Sequence, residues 1–393
     1  MSLWNTARLR RRAVLPLLAG AALALPAGEL WALDSGLADP RLRTQGRDAV
    51  WLGHAWVGGG KDDADADALL RALGGAGTGR GIRDLYTHVG PTADDGSLDP
   101  ALYPRAGWVL TALRRPGVRV QAWLGDVVDS EGPTGLDLSR TEVRARLADS
   151  AAQLLGLGFD GINLDLEPVH SGDPGYLDVL DRIGALTRAR GRVLSVAVPQ
   201  LDPLPPLREL AGRLTGHPKW WSSGYLAQVA RRVDQVDVMA YDTALPLRSL
   251  FAGYVAQQVE LACAVVPPQV DLLIGLPAYH TDSSGHHAHA ETVAAAIRGV
   301  RLGLSAEPSA EPGGVPGSGR RYGVALYADF SATAADWAAY RDDWCAPAGP
   351  SAGPSAGPST GPSTGPELRL PVPAMSAMID NMTTTKGGFR PSR

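Results

Sequence analysis

The sequence predicts an α/β fold, a (β/α)8 TIM barrel formed by a single domain. Eight short apolar segments have the composition of strands, and segments with helical periodicity lie between them. This alternation is typical of a parallel sheet, and eight units are the number that closes a barrel. An open doubly wound sheet is the alternative, but no glycine-rich phosphate turn follows any of the predicted strands.

The predicted elements follow one another along the whole domain. The expected strands are Ala49–Val57, Ile82–Gly90, Val118–Gly125, Phe159–Glu167, Arg192–Pro199, Gln235–Asp242, Val270–Tyr279 and Tyr322–Phe330. The expected helices include Ser139–Leu157, Tyr176–Arg190, Leu226–Val233, Ser249–Val265 and Glu291–Val300. Ser139 and Glu142 have the spacing of a capping box, which predicts the start of the first of these helices.

Length and composition set mild limits on the function. The chain has 393 residues, which leaves room for tails around a barrel of about 250 residues. With 37 basic and 41 acidic residues the formal net charge is −4, so nucleic acid is not an expected partner. Two cysteines exclude a disulfide framework and a cysteine-rich zinc site. The sequence does not decide whether Cys263 and Cys345 form one disulfide.

Both ends of the chain are predicted to lie outside the barrel. Four arginines between residues 8 and 12 precede the uncharged run Ala13–Leu25, which predicts a signal peptide or, if uncleaved, a membrane anchor over residues 1–33. We therefore expect a secreted or cell-surface protein that contacts a membrane only if this segment is retained. The barrel is expected over residues 48–345. A Gly/Pro/Ser-rich repeat and a polar tail, expected to be disordered, occupy residues 346–393.

The strand Phe159–Glu167 carries the candidate chemistry. Side chains two residues apart project to the same side of a strand, so Asn163, Asp165 and Glu167 share one face. Because burying unpaired charge is costly, carboxylates on an otherwise apolar strand indicate a catalytic edge. Two neighbouring carboxylates also disfavour double ionisation, so one of them can keep a proton and act as an acid.

Other strand ends add residues that suit a sugar site, because barrel enzymes place their chemistry where strands end. These candidates are Trp56, Trp123, Gln200, Met239, Tyr241, Asp242, Tyr279 and Tyr327. For each aromatic residue, packing at the top of the barrel is the alternative. His280, His286, His287 and His289 crowd one Ser/Gly loop and are expected to be solvated, so no metal and no cofactor are predicted.

The nine residues Phe159–Glu167 resemble the active-site strand of glycoside hydrolase family 18, the chitinase-like barrels, and Met239–Asp242 resembles a second motif of that family. The resemblance covers roughly residues 48–345. It implies that Glu167 is the general acid of a substrate-assisted mechanism, in which the 2-acetamido group of the substrate attacks the anomeric carbon. Asp165 would orient that group and Tyr241 would donate a hydrogen bond to its carbonyl oxygen. Asp160, Asn163 and the strand-end residues above would contact the substrate.

The sequence departs from the family at three places. Asn163 stands where most active members carry Asp, the third strand lacks the Ser-x-Gly-Gly motif, and Leu326-Tyr327 replaces the usual Trp. These changes alter the expected pocket but leave the catalytic strand intact. The specific substrate, and endo or exo action, stay open.

The resulting hypothesis is an exported, monomeric glycoside hydrolase that acts on a polysaccharide or oligosaccharide of N-acetylamino sugars. One alternative is a glycosidase in which Asp242 or Asp165 is a protein nucleophile. A second alternative is a barrel that binds carbohydrate without cleaving it.

Overall fold

A computed structural model describes residues 27–73, 81–131, 134–203 and 220–346. Eight parallel strands close into a barrel in the order of the sequence, which confirms the predicted (β/α)8 fold. The strands are β1 Asp48–Leu52, β2 Ile82–His88, β3 Arg119–Val127, β4 Gly161–Glu167, β5 Val193–Val198, β6 Gln235–Val238, β7 Asp271–Pro277 and β8 Tyr322–Tyr327.

Helices surround the strands on the outside of the barrel. In chain order they are α1 27–34, α2 Ala55–Gly58, α3 Asp63–Ala72, α4 Ala106–Leu113, α5 Thr141–Leu157, α6 Pro174–Ala189, α7 Ser223–Ala230, α8 Arg248–Cys263, α9 Val293–Ser305 and α10 Ala334–Ala339. Short turns of other helix types occupy Pro100–Leu102, Asp129–Glu131 and Tyr340–Cys345. Among the described residues, no helix is long and apolar enough to cross a membrane.

Alternation along β4 sorts its side chains between the two sides of the sheet. Ile162, Leu164 and Leu166 join the apolar layer between strands and helices. Asn163, Asp165 and Glu167 therefore face the inside of the barrel. In the register with β3, Gly125 pairs with Asp165 and Val127 with Glu167, so both carboxylates lie at the C-terminal end of the barrel, as the sequence predicts.

Two local predictions about element ends differ from the structure. The first strand ends at Leu52, and the chain then enters α2, because Gly53 and Trp56 are drawn back to Asp329 by hydrogen bonds from their nitrogens. Helix α5 begins at Thr141 without a side-chain cap. The Ser139 hydroxyl donates to Asp137 instead, so the predicted capping box is wrong.

Helix α1 packs on the outside of α8 and α9. Leu30 is buried, and its carbonyl oxygen lies so close to α8 that a Cβ on Gly253 would meet it at 1.9 Å. Asp34 forms an ion pair with Arg298 of α9. The end of the segment predicted for export, residues 27–33, thus contacts the barrel. The core of that segment and the C-terminal repeat lie outside the described residues.

The two cysteines are free thiols. Cys263 is buried at the end of α8, and Cys345 is partly buried in the last helical turn. The disulfide that the sequence leaves open is therefore not formed in this structure.

Candidate active site

Asp165 is held by one of its two carboxylate oxygens. The indole nitrogen of Trp123 donates to Oδ2 at 2.9 Å, whereas Oδ1 is buried and has no hydrogen-bond partner among the described residues. Burial raises the pKa of Asp165, and the Trp123 hydrogen bond acts in the opposite direction. A buried acceptor without a donor is costly, so the site favours a ligand that brings an N–H or O–H group to Oδ1.

Glu167 ends β4 at the opening of the barrel, where part of its side chain reaches solvent while protein atoms crowd its carboxyl group. Protein atoms around the carboxyl group withdraw water from it, and the charges of Asp165 and Asp242 add to this effect. Together they raise the pKa of Glu167 well above its ordinary value. Glu167 is therefore the carboxyl group of the pair that keeps a proton near neutral pH.

Tyr241 lies just beyond β6 and is almost fully buried. Its ring stacks on Tyr327, with ring centroids 5.7 Å apart. The ring also packs against Gly275, where the Cβ of any other residue would lie 2.7 Å from a ring carbon. Burial, Tyr327 and the charges of Asp165 and Glu167 raise the pKa of the Tyr241 hydroxyl. The hydroxyl therefore stays protonated and can donate a hydrogen bond beside both carboxylates.

Tyr279 and Tyr327 form a half-exposed aromatic wall next to Tyr241. Tyr279 donates from its hydroxyl to Oδ1 of Asp242 at 2.6 Å. Asp242 has a φ of 57°, a left-handed conformation that Asp adopts more readily than most residues. The structure thus brings five predicted site residues, Asp165, Glu167, Tyr241, Asp242 and Tyr279, together with Tyr327 at one end of the barrel.

Two residues of the β4 motif do not reach this site. Asp160 precedes the strand at the opposite end of the barrel, where it accepts a hydrogen bond from Arg192 at 2.6 Å. Asn163 is fully buried and hydrogen bonds to Trp51, Ser195 and Asp237. Their predicted contact with substrate is wrong, because one residue is a strand length away and the other lies beneath the site in the barrel interior.

Four further candidates are buried supports rather than open surfaces. Trp56 packs outside the barrel and donates to Asp329, so its predicted contact with a sugar is wrong. Gln200 donates to the backbone oxygen of Tyr241. Trp123 and Met239 belong to an apolar cluster inside the barrel and are almost completely buried. The last three residues position the site and offer little surface to a substrate.

A second polar group extends the site on the side of β7. His286 is 1% exposed, which contradicts the expectation that the loop histidines are solvated. Its Nδ1 lies 3.2 Å from Asp242 Oδ1 and 3.5 Å from Glu291 Oε2. Burial lowers the pKa of His286, but the two carboxylates outweigh it and raise that pKa to about 9.

The barrel that carries this aromatic, carboxylate-lined site is similar to solved structures of other proteins. The crystal structure of the spore cortex-lytic enzyme SleL from Bacillus megaterium QM B1551 matches with a TM-score of 0.52 and 13% identity, over 77% of this chain and 75% of that chain. The chain has a chitinase-like barrel fold. A chitinase from Chromobacterium violaceum ATCC 12472 matches with a TM-score of 0.48 and 16% identity, over 75% of this chain and 98% of that chain. No protein-family model and no curated protein matches the sequence.

At these identities the likeness concerns the fold, and the family-18-like resemblance of the sequence is confirmed at that level. Glu291 and His286 are the residues of this chitinase-like barrel that the sequence did not point to. Their position could have indicated a role, because the loop that carries them follows β7 at the same end of the barrel as Glu167. The polar Ser/Gly composition around the histidines led instead to the prediction that they are solvated.

A cavity of about 650 Å3 opens beyond the C-terminal ends of β3 and β4. It is lined by residues that follow β3 and β4, among them Asp129, His170 and Asp173. The backbone of Val128, at its edge, donates to the carbonyl oxygen of Glu167 at 2.9 Å. The cavity therefore adjoins the end of β4, although the side chains of Asp165 and Glu167 are not part of its lining.

Proposed function

We propose that this protein is an exported glycoside hydrolase that cleaves a polymer of N-acetylamino sugars by substrate-assisted, retaining hydrolysis. The predicted signal segment supports export, and the chitinase-like fold supports the class of enzyme. The observation that carries the proposal is the unpartnered, buried Oδ1 of Asp165 beside a Glu167 whose pKa is raised.

The acetamido group of the substrate fits the unfilled acceptor. Its N–H would donate to Asp165 Oδ1, while Trp123 keeps the other oxygen in place. This contact would turn the acetamido carbonyl oxygen toward the anomeric carbon. The ionised Asp165 would also stabilise the positive charge that develops on the acetamido group, and such stabilisation in a water-poor site lowers the barrier.

Glu167 would supply the proton for bond cleavage. The proton passes to the glycosidic oxygen, the bond from that oxygen to the anomeric carbon breaks, and the acetamido oxygen bonds to the same carbon. The product is a cyclic oxazolinium ion and a free leaving-group alcohol. Water then attacks the anomeric carbon, Glu167 accepts its proton, and the bond between the acetamido oxygen and that carbon breaks. This second inversion regenerates the acetamido group and restores the original configuration.

Tyr241 would stabilise the reacting acetamido oxygen. Its buried hydroxyl stays protonated beside the two carboxylates, and the stacked Tyr327 ring fixes its position. The half-exposed Tyr279 and Tyr327 offer apolar faces against which the C–H face of a sugar ring can pack. The cavity next to Glu167 would hold further sugar units, which supports a polymer rather than a single sugar as substrate.

The test compares matched oligosaccharides that differ only in N-acetylation. We expect hydrolysis of the acetylated oligomers with retention of configuration and no hydrolysis of oligomers de-acetylated at the reacting sugar. The panel includes chitin and bacterial cell-wall oligosaccharides, because the name of SleL describes an enzyme that lyses the spore cortex. A thiazoline analogue of the cyclic intermediate should inhibit, since the site would be complementary to that intermediate.

Two other outcomes would replace this proposal. Equal rates on acetylated and de-acetylated oligomers, with azide rescue of Asp242→Ala, would indicate a protein nucleophile. Binding of the oligomers without release of any product would indicate a carbohydrate-binding barrel. Glu167→Gln is the negative control for turnover in every assay.

A further inference from the structure

Asp242, His286 and Glu291 converge on one point at the C-terminal end of the barrel. Each offers one ligand atom, and these three atoms lie within 4.8 Å of one another. They come from three positions in the fold: the end of β6, the loop after β7 and the residues just before α9. We name these three residues the β6–β7 cluster.

His286 points into this cluster without making a hydrogen bond. The side chain is 1% exposed, and neither ring nitrogen has a hydrogen-bond partner among the described residues. Nδ1 lies near both carboxylates, yet the geometry is that of ion-pair contacts and not of an aligned hydrogen bond to either of them. Once Nδ1 releases its proton to solvent, as metal binding requires, its lone pair can point at a centre between the two oxygens.

The distances suit a metal ion at that centre. Zinc binds imidazole nitrogen and carboxylate oxygen at about 2.0–2.2 Å, so tetrahedral ligands lie about 3.4 Å from one another. Nδ1 of His286 is 3.2 Å from Asp242 Oδ1 and 3.5 Å from Glu291 Oε2. Both separations match the edge of such a tetrahedron.

The charges favour a divalent ion over a proton. The Glu291 side chain is fully buried, and among the described residues His286 is its ion-pair partner. A protonated imidazole would leave one negative charge in the cluster, and a neutral imidazole would leave two. A divalent cation with a neutral imidazole balances both carboxylates, and buried charge is tolerated when it is paired or coordinates a metal.

We propose that Asp242, His286 and Glu291 bind a divalent transition-metal ion of the zinc type. A set of one nitrogen and two oxygen ligands favours zinc, manganese or cobalt over calcium or magnesium, which prefer oxygen alone. Three protein ligands leave one tetrahedral position open. Asp242 is the partly exposed member of the cluster, so the ion would sit in the wall of the barrel opening next to Tyr279.

Contacts from Thr243 and Tyr279 preorganise the cluster for this role. Glu291 accepts hydrogen bonds from the Thr243 nitrogen at 3.2 Å, which fixes its carboxylate against the segment that carries Asp242. The Tyr279 hydroxyl fixes Asp242 from the other side, and its ring packs against the His286 ring at a centroid distance of 4.3 Å. Such supporting contacts orient metal ligands and contribute to affinity.

The experiment titrates zinc and cobalt into the full chain after treatment with a chelator. We expect one ion per chain by calorimetry, a visible absorption band for cobalt, and a rise in melting temperature with zinc concentration. His286→Gln and Glu291→Gln should each weaken binding by more than about tenfold, because loss of a ligand exceeds the 10–100-fold effect of losing a supporting contact. Calcium and magnesium should bind more weakly than zinc.

His289→Gln is the matched control, because His289 is an exposed histidine of the same loop and contacts the carbonyl oxygen of Pro246. Binding should be unchanged in this variant and also in Glu167→Gln, so failure of the metal proposal and failure of the proposed hydrolysis can be told apart. Absence of a stoichiometric ion, or binding that survives in both His286→Gln and Glu291→Gln, would overturn the proposal. Circular dichroism of each variant excludes loss of fold as the reason for loss of binding.

Discussion

The indole nitrogen of Trp123 donates a 2.9 Å hydrogen bond to Oδ2 of Asp165 and leaves Oδ1 of the same carboxylate without a partner among the described residues. The two residues sit on adjacent strands, β3 and β4. The third strand lacks the Ser-x-Gly-Gly motif of glycoside hydrolase family 18. This contact therefore lies where the sequence differs from the family that it resembles. It fixes the orientation of Asp165 and directs the free oxygen to the site.

The first prediction concerns the pH dependence of hydrolysis. In the proposed mechanism, turnover needs an ionised Asp165 and a protonated Glu167, and the pKa values of both are raised, that of Glu167 to about 8. Activity should therefore fall in acid as Asp165 takes up a proton, and fall in alkali as Glu167 loses its proton near pH 8. A profile of kcat/KM against pH checks both limbs. An alkaline limb near the ordinary pKa of glutamate would contradict the role of Glu167.

The second prediction tests the Trp123 contact. Trp123→Phe removes the donor that holds the pKa of Asp165 down, so the acid limb should move to higher pH and turnover should fall by roughly tenfold, the effect of about 1.4 kcal/mol. Trp108→Phe is the matched control, because Trp108 likewise donates from its indole to a carboxylate, Asp63, outside the barrel. An identical change in both variants would show a general effect of losing an indole.

The third prediction separates activity from stability at Glu167. Glu167→Gln should reduce turnover by about 10³-fold or more, because it removes the proposed general acid. A carboxyl group whose folded pKa is raised stabilises the fold fully below its unfolded pKa, and this contribution is lost as the pH rises through the folded pKa. Glu167→Gln should thus melt at the same or a higher temperature than the wild type above pH 8. Glu142→Gln, on the exposed side of α5, is the control, and a lower melting temperature for Glu167→Gln alone would count against the raised pKa.

The fourth prediction concerns the N-terminal segment. The sequence predicts that residues 1–33 lie outside the barrel, but helix α1 buries Leu30 and pairs Asp34 with Arg298. Deletion of residues 1–26 should leave the melting temperature unchanged, whereas deletion of residues 1–36 should lower it. Equal melting temperatures would restore the sequence prediction and show that α1 contributes nothing to the stability of the barrel.

The barrel could be predicted from the sequence because its determinants are local. Apolar strands, helical periodicity and the alternation of Asn163, Asp165 and Glu167 each depend on a few neighbouring residues. The roles of Asp160 and Asn163 could not be read in this way. Their partners Arg192 and Asp237 belong to other strands or lie beside them, and only the closed barrel decides which end, or which depth, each side chain occupies. His286 was misjudged for the same reason, since its burial depends on packing against Tyr279.

The last prediction concerns Asn163, an amide at the position where most active members of glycoside hydrolase family 18 carry Asp. Asn163 donates to Ser195 and, at 3.3 Å, to Oδ2 of Asp237, a buried carboxylate that also accepts from Tyr86. Asn163→Asp turns this donor into an acceptor that faces Asp237, and should cost about 3 kcal/mol of unfolding free energy at neutral pH. This loss of stability should fade in acid, where one of the two carboxylates takes up a proton.

A reciprocal exchange of residues 163 and 237 tests this prediction directly. The double variant Asn163→Asp with Asp237→Asn restores one carboxylate and one amide, with the amide at position 237 now able to donate to position 163. Because Oδ1 of residue 237 would still accept from Tyr86, the double variant should recover most of the stability that Asn163→Asp loses. Chemical denaturation of the wild type, both single variants and the double variant at pH 5 and pH 7 gives the coupling energy. If the stability losses of the two single variants simply add in the double variant, the contact between Asn163 and Asp237 does not explain why this chain has an amide at position 163.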